Sequence, residues 1–154
     1  MPGVSVSPEL ARRLLALCLN LCGNASDAED ALQETLLALH LGRFRGESSI
    51  ETFAYRVALR QALRIKARRR LAAQPPRDEP ATGPGPIEAS ADARTVLRAM
   101  ARLPEEQRAV LSLFAIEGLR HREIAQILGI PEGTVWSRLH AARRRLQDEL
   151  AVAR

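Results

Sequence analysis

The stretch His121-Arg-Glu-Ile-Ala-Gln-Ile-Leu-Gly-Ile-Pro131-Glu-Gly-Thr-Val-Trp-Ser-Arg-Leu-His140-Ala-Ala-Arg-Arg-Arg-Leu146 decides the fold. Ile124, Ala125 and Leu128 give a first helix, about His121 to Leu128, one packing face, with Ala125 small where a second helix crosses it. Gly129-Ile130-Pro131 breaks that helix, and Pro131 opens the next at a position where proline is tolerated. Val135, Leu139, Ala142 and Leu146 then form the inward stripe of a helix running from Glu132 to about Ala151. The pattern is a helix-turn-helix. Left facing outward on the second helix are Thr134, Trp136, Ser137, Arg138, His140, Ala141, Arg143 and Arg144. In this geometry the second helix enters the major groove, and its first turns meet base edges. Arg138 has the fork that pairs bidentately with guanine; Ser137, Thr134 and His140 donate or accept. Arg143 to Arg145 lie further along, where arginines grip phosphate. A helix-turn-helix also serves pure protein contact, and Trp136 also suits a buried anchor. The basic exposed face favours nucleic acid, and the inward stripe turns Trp136 outward.

Upstream of this motif the pattern stays helical. A helix from near Ser90 to Arg102 is followed by Leu103-Pro104, which starts another running to Glu117 and stopping at Gly118. Before these lies a sharp change of composition. Gln74 to Pro86 holds five prolines and two glycines, and such a stretch neither continues a helix nor buries a core. Residues 72–91 therefore read as a flexible linker of about 20 residues, able to reach about 60 Å when extended. It separates an N-terminal domain, 1–71, from a C-terminal domain, 92–154.

The N-terminal domain reads as three helices with no strand signal. Leu10, Leu14, Leu17 and Leu21 mark the first, from about Pro8 to Leu21, ended by Gly23-Asn24. Ser26 and Glu29 have capping-box spacing for the second, and Asp27 and Asp30 suit a positive helix start. Ala31, Leu32, Thr35, Leu36 and Leu39 form its core face, while Asp30, Gln33, Glu34 and Leu37 project elsewhere. Gly42 to Ser49 is a loop. The third helix, about Ile50 to Ala72, has an apolar face of Ile50, Phe53, Ala54, Val57, Ala58 and Gln61.

Charge is distributed unevenly. The chain of 154 residues carries a formal +5, with 22 arginines to the single Lys66. Residues 51–71 hold seven basic side chains against Glu51 alone. Arg56, Arg60 and Arg64 recur every four residues, a spacing at which like charges repel. A solvated helix face usually mixes signs, so this stripe calls for a polyanion. The basic balance predicts nucleic acid or a membrane surface as partner. The longest apolar run, Leu14 to Leu19, is far short of the approximately 20 residues a membrane span needs, and no signal peptide is visible. A soluble cytoplasmic protein without membrane insertion is the expectation. Cys18 and Cys22, four apart in a leucine-rich helix, fit two small core side chains; a redox or metal pair is the other use of that spacing.

Aromatic residues are few: Phe44, Phe53, Tyr55, Phe114 and Trp136. Catalysis finds no support. His40, His121 and His140 lie apart, no glycine-rich phosphate loop appears, and Ser, His and Asp show no motif spacing. No enzyme, cofactor or metal is expected.

Several motifs resemble one family. Leu103-Pro-Glu-Glu-Gln-Arg108, Glu117-Gly-Leu, Arg122-Glu-Ile-Ala-Gln-Ile-Leu-Gly-Ile-Pro131, Gly133-Thr-Val, Ser137-Arg-Leu-His140 and Ala142-Arg143 closely resemble region 4 of extracytoplasmic-function (ECF) sigma factors of bacterial RNA polymerase. Asp27-Ala-Glu-Asp30, Gln33-Glu34, Phe44 and the Thr52 to Arg70 helix resemble region 2 of the same family. The resemblance implies an all-α protein that binds core RNA polymerase and directs it to promoter DNA, held in check by an anti-sigma factor. It implies that Asp30, Gln33 and Glu34 dock on the polymerase clamp, and that the loop and third helix engage and melt the minus-ten element. There Phe44, Tyr55, Arg56, Arg60 and Arg64 meet DNA, since melted bases need aromatic faces and cationic phosphate contacts. Thr134, Trp136, Ser137, Arg138, His140, Arg143 and Arg144 would read the minus-thirty-five element. The chain departs from the family's common pattern at Phe53-Ala54, where Trp-Leu is usual. It departs also at Arg60 (Asn), at Arg64 (Asp), and at Trp136 and Ala141, where basic residues are frequent. Two other readings share these residues: a helix-turn-helix regulator acting without polymerase, and a polymerase-binding module without melting activity.

Overall fold

Ser7 begins the first element: its hydroxyl accepts the Leu10 N–H at 3.2 Å, and Pro8 occupies the first helical position, giving α1, Pro8–Cys22. The structure, a computed structural model, describes residues 4–72 and 91–153, and the chain divides into two units, Met1–Gly83 and Pro84–Arg154. Apart from Ala72 and Ala91, the expected linker lies outside the described residues. Every regular element among the described residues is helical.

In the first unit α1 ends at Gly23, whose φ of 79° is the left-handed conformation that glycine adopts without a Cβ penalty. The chain then starts α2, Ala25–His40, from Asn24. Here the structure corrects the sequence reading: the cap is Asn24, not Ser26. The Asn24 side-chain oxygen accepts the Asp27 N–H at 2.9 Å and its amide donates to the Asp27 carboxylate at 3.0 Å. Asparagine caps as well as serine does, and Gly23 leaves no residue between turn and helix. Asp27 also accepts a fork of bonds from Arg69, with Nη2 at 2.7 Å. That bond ties the start of α2 to the end of α3, Ile50–Leu71, which Ser49 caps through Thr52. The three helices pack against one another around Leu10, Leu14, Leu17, Leu21, Leu39 and Ala58. Cys18 is buried in this core and Cys22 half-buried, its thiol donating to the Ala62 carbonyl at 3.9 Å. Burial pushes both thiols up to about 12, the neighbouring Cys22 adding to the effect at Cys18 and Asp27 at Cys22. A thiol that stays protonated is a core side chain rather than a nucleophile.

In the second unit α4, Ala91–Ala101, is followed by α5, Glu105–Leu111, α6, His121–Leu128, and α7, Glu132–Val152. The sequence predicts one helix from Pro104 to Glu117. Instead α5 widens at Ser112–Ile116 into a π-helical turn, closed by the Glu117 N–H on the Ser112 carbonyl at 3.1 Å. Such turns insert one residue and rotate the side chains around them. Arg108 is buried, and its guanidinium donates to the carbonyls of Met100, Ala101 and Leu103 at 3.1, 2.8 and 2.9 Å. Met100 and Ala101 end α4 and Leu103 lies just past it, so a cation covers carbonyls at and beyond the C-terminal end of that helix. Val135, Leu139 and Ala142 of α7 are buried, and this helix packs against α4, α5 and α6.

Candidate nucleic-acid interface

The turn between α6 and α7 is held by Gly129 at φ 66° and by the Ile130 N–H on the Ala125 carbonyl at 3.1 Å. Pro131, in extended conformation, then launches α7. Because Val135, Leu139 and Ala142 anchor its inner stripe, the opposite side projects outward. Trp136, at 58%, is a large exposed apolar residue, and Ser137, His140, Arg143 and Arg144 are exposed as well. Thr134 and Arg138 are half-buried. Ser137 spends its hydroxyl proton on the Thr134 carbonyl at 3.1 Å, leaving lone pairs to face outward. Arg138, the expected guanine reader, leans back toward α5, where its guanidinium lies 3.7 Å from the Glu106 carboxylate. Arg143 stands over the Phe114 ring, 4.9 Å from its centroid.

The π-helical turn has its effect here. It carries Phe114, whose ring meets His121 at 5.2 Å and an interplanar angle of 48°. His121 in turn stacks on Trp136 at 4.0 Å and 9°. Sequence reasoning missed this ladder, because Phe114, His121 and Trp136 are distant in sequence and their spacing carries no shared period.

In the first unit Arg60 and Arg64 lie exposed along α3, and Arg56 is half-buried at its upper part. Arg56 lines an open depression together with Arg43, Phe44, Arg45, Glu47, Ser48 and Phe53. Phe44 and Phe53 face each other at 5.3 Å and 53°. The structure thus brings Phe44 and Arg56 together and adds Phe53 with the loop arginines, which the alternation Arg43-Phe44-Arg45 would have revealed.

Tyr55 is a correction. It is 1% exposed and lies in the core, with the Arg13 guanidinium 5.6 Å over its ring, so it offers no surface to DNA in this structure. The cause is that α3 is buried on a broad arc, Tyr55, Leu59 and Ala62 forming a second apolar stripe beside Ala54, Val57 and Ala58. On α2, Asp30, Gln33 and Glu34 are all exposed, and Leu37 is 49% exposed on the same helix.

Among the described residues no group of His, Cys, Asp or Glu is arranged to hold a metal ion, and no helix is long and apolar enough to cross a membrane.

Two helical units on one chain, one with an arginine-lined helix beside an aromatic pair and one with a helix-turn-helix, make a bipartite all-helical protein with basic side chains exposed on each unit. Residues 9–72 match Sigma-70 region 2, and residues 93–146 match Sigma-70, region 4. The chain is 36% identical over 154 residues to the ECF RNA polymerase sigma factor SigE of Mycolicibacterium smegmatis, covering 92% of this chain and 58% of that protein. It is 35% identical over 158 residues to the ECF RNA polymerase sigma factor SigL of Mycobacterium tuberculosis, covering 95% of this chain and 89% of that one. The fold is similar to that of the sigma factor RpoE from Bartonella quintana, solved in complex with the anti-sigma factor NepR. That match has a TM-score of 0.78 and 25% identity, and covers 95% of this chain and 94% of that one. The chain belongs to the ECF RNA polymerase sigma factors.

Proposed function

We propose that this chain binds core RNA polymerase and directs promoter-specific transcription initiation in the cytoplasm, without enzymatic activity of its own. The observation that carries the reading is the pairing, on one chain, of a region 2 unit and a region 4 helix-turn-helix, each with an outward basic face. Asp30, Gln33 and Glu34, with Leu37 beside them, form the contact to the polymerase clamp. Phe44 and Arg56, joined by Phe53, Arg43 and Arg45, receive unstacked bases of the minus-ten element, where stacking on a ring contributes about 1 to 3 kcal/mol per base. Arg60 and Arg64 hold the adjoining phosphates. Thr134, Trp136, Ser137, Arg138, His140, Arg143 and Arg144 engage the minus-thirty-five element. For Arg138 this requires leaving Glu106, a step that costs little because a half-exposed pair is worth about 0 to 1 kcal/mol. Each DNA contact is modest alone. Two on one chain, held on a common polymerase, gain from effective concentration.

A partner that covers the polymerase-binding and DNA-binding faces would silence both. The neighbouring fold crystallised with an anti-sigma factor supports the same kind of partner for this chain. The burial of Tyr55 favours a second reading, a polymerase-binding module with reduced melting, since it leaves Phe44 and Phe53 as the aromatic platform of this unit.

Run-off transcription with purified bacterial core polymerase, with and without the protein, on upstream fragments of its own genome tests the proposal. Discrete new transcripts are expected. A stable complex with polymerase that yields no transcript would favour the second reading, and failure to bind polymerase would reject both.

A further inference from the structure

We infer that Trp136 is a specificity-determining residue that selects a thymine in the major groove, with His121 and Phe114 as its positioning residues. This rests on the proposed DNA-reading role of α7 and goes beyond it by naming the base. Trp136 lies in the early turns of α7, the part of a helix-turn-helix that meets base edges, and 58% of its surface is exposed. The indole has a broad apolar ring and one N–H donor, and no acceptor. In the major groove guanine offers acceptors alone, cytosine an amino donor, and adenine a donor beside an acceptor. Thymine alone sets an acceptor, O4, next to an apolar group, the C5 methyl. A side chain that is apolar with a single donor matches that pair and cannot reproduce the two-pronged donation by which arginine takes guanine.

An exposed tryptophan is a poor reader if it turns freely. This one does not stand alone: His121 stacks on it at 4.0 Å with the planes 9° apart, Phe114 abuts His121 at 5.2 Å, and the Arg143 guanidinium lies over Phe114 at 4.9 Å. The members come from three elements, the π-helical turn, α6 and α7. Fixing a ring before binding removes an ordering cost from the complex. The surroundings name the occupant. Arg143 and Arg144 are exposed on the same helix, a cationic setting suited to DNA and ill suited to an apolar protein partner.

The test uses the full chain bound to core polymerase and the upstream duplex defined by run-off transcription. Each thymine is replaced in turn by deoxyuridine, which deletes the C5 methyl and nothing else. At one position binding should weaken about fourfold, the worth of one buried methyl. Trp136→Ala should abolish that difference, and Trp136→Arg should exchange the preference at the same position for guanine. His121→Ala should shrink the difference and, in the free chain, raise the rotational freedom of Trp136, the chain's single tryptophan, in fluorescence anisotropy. His121→Phe, which keeps a stacking partner, should restore both. If no deoxyuridine replacement changes binding by as much as twofold, or if the loss persists in Trp136→Ala, the inference is overturned. A wild-type complex that binds its duplex no better than random DNA would instead remove the functional reading, and this inference with it.

Discussion

The two units handle arginine differently. Along α3 of the first unit, charge and packing are separated by position: Arg60 and Arg64 lie exposed, while Arg69, near the far end, is bonded to Asp27. In the second unit the roles are interleaved. Arg108 is buried as a helix cap, Arg138 leans on Glu106, and Arg143 stands over Phe114, leaving Arg144 and Arg145 exposed without a described partner in the ladder. A segment's net charge therefore overstates how many of its cations stand exposed on its surface. What a given arginine does is set by the acceptors and rings within its reach.

The largest effect that would sharpen this comparison is expected from Arg108→Ala. The carbonyls of Met100, Ala101 and Leu103 lose their charged donor, a loss of about 3 kcal/mol. Urea unfolding followed by Trp136 fluorescence should show it, because that residue reports the second unit alone. An unchanged midpoint would mean that the cap is dispensable. Asp27→Ala should cost the first unit about 1 to 2 kcal/mol through the lost cap contact and the partly exposed Arg69 pair, and should leave the Trp136 transition in place. If the Trp136 transition moved as well, the two units would not unfold independently.

A pH effect confined to the first unit comes next. Its buried Cys18 holds its proton up to about 12, whereas the unfolded chain releases it near the ordinary value of 9.0. Between those values the unfolded state binds fewer protons, so stability is constant below about pH 9 and falls as pH rises above it, by at most about 1.4 kcal/mol per pH unit for this thiol. Thermal melts of wild type and Cys18→Ala should diverge in slope above pH 9; parallel curves would contradict the assignment. The smallest effect separates binding from folding. Arg60→Ala with Arg64→Ala should leave stability unchanged and reduce the salt slope of DNA binding by about 2, as loss of two phosphate contacts does.

Much of the helical layout was legible because leucine, alanine and valine recur at helical spacing and Gly23, Gly118 and Gly129 stop the runs. His121–Leu128 was read to the residue. The π-helical turn was not, because nothing in Ser112-Leu-Phe-Ala-Ile116 departs from an ordinary helical pattern. Tyr55 was misread because a tyrosine beside an arginine stripe resembles a base platform; Leu59 and Ala62, four and seven residues on, were the signs of a second buried face. Arg108 and the Trp136 ladder depend on contacts between elements, and no single-helix period encodes those.

Potassium permanganate probing of promoter thymines, with the chain bound to core polymerase, tests the division of labour between the units most directly. Wild type should make thymines near the minus-ten element reactive while protecting the upstream element. Phe44→Ala should lose the reactivity and keep the upstream protection. Loss of both together in Phe44→Ala, or a fully paired promoter with the wild-type complex, would contradict the assignment of melting to the first unit.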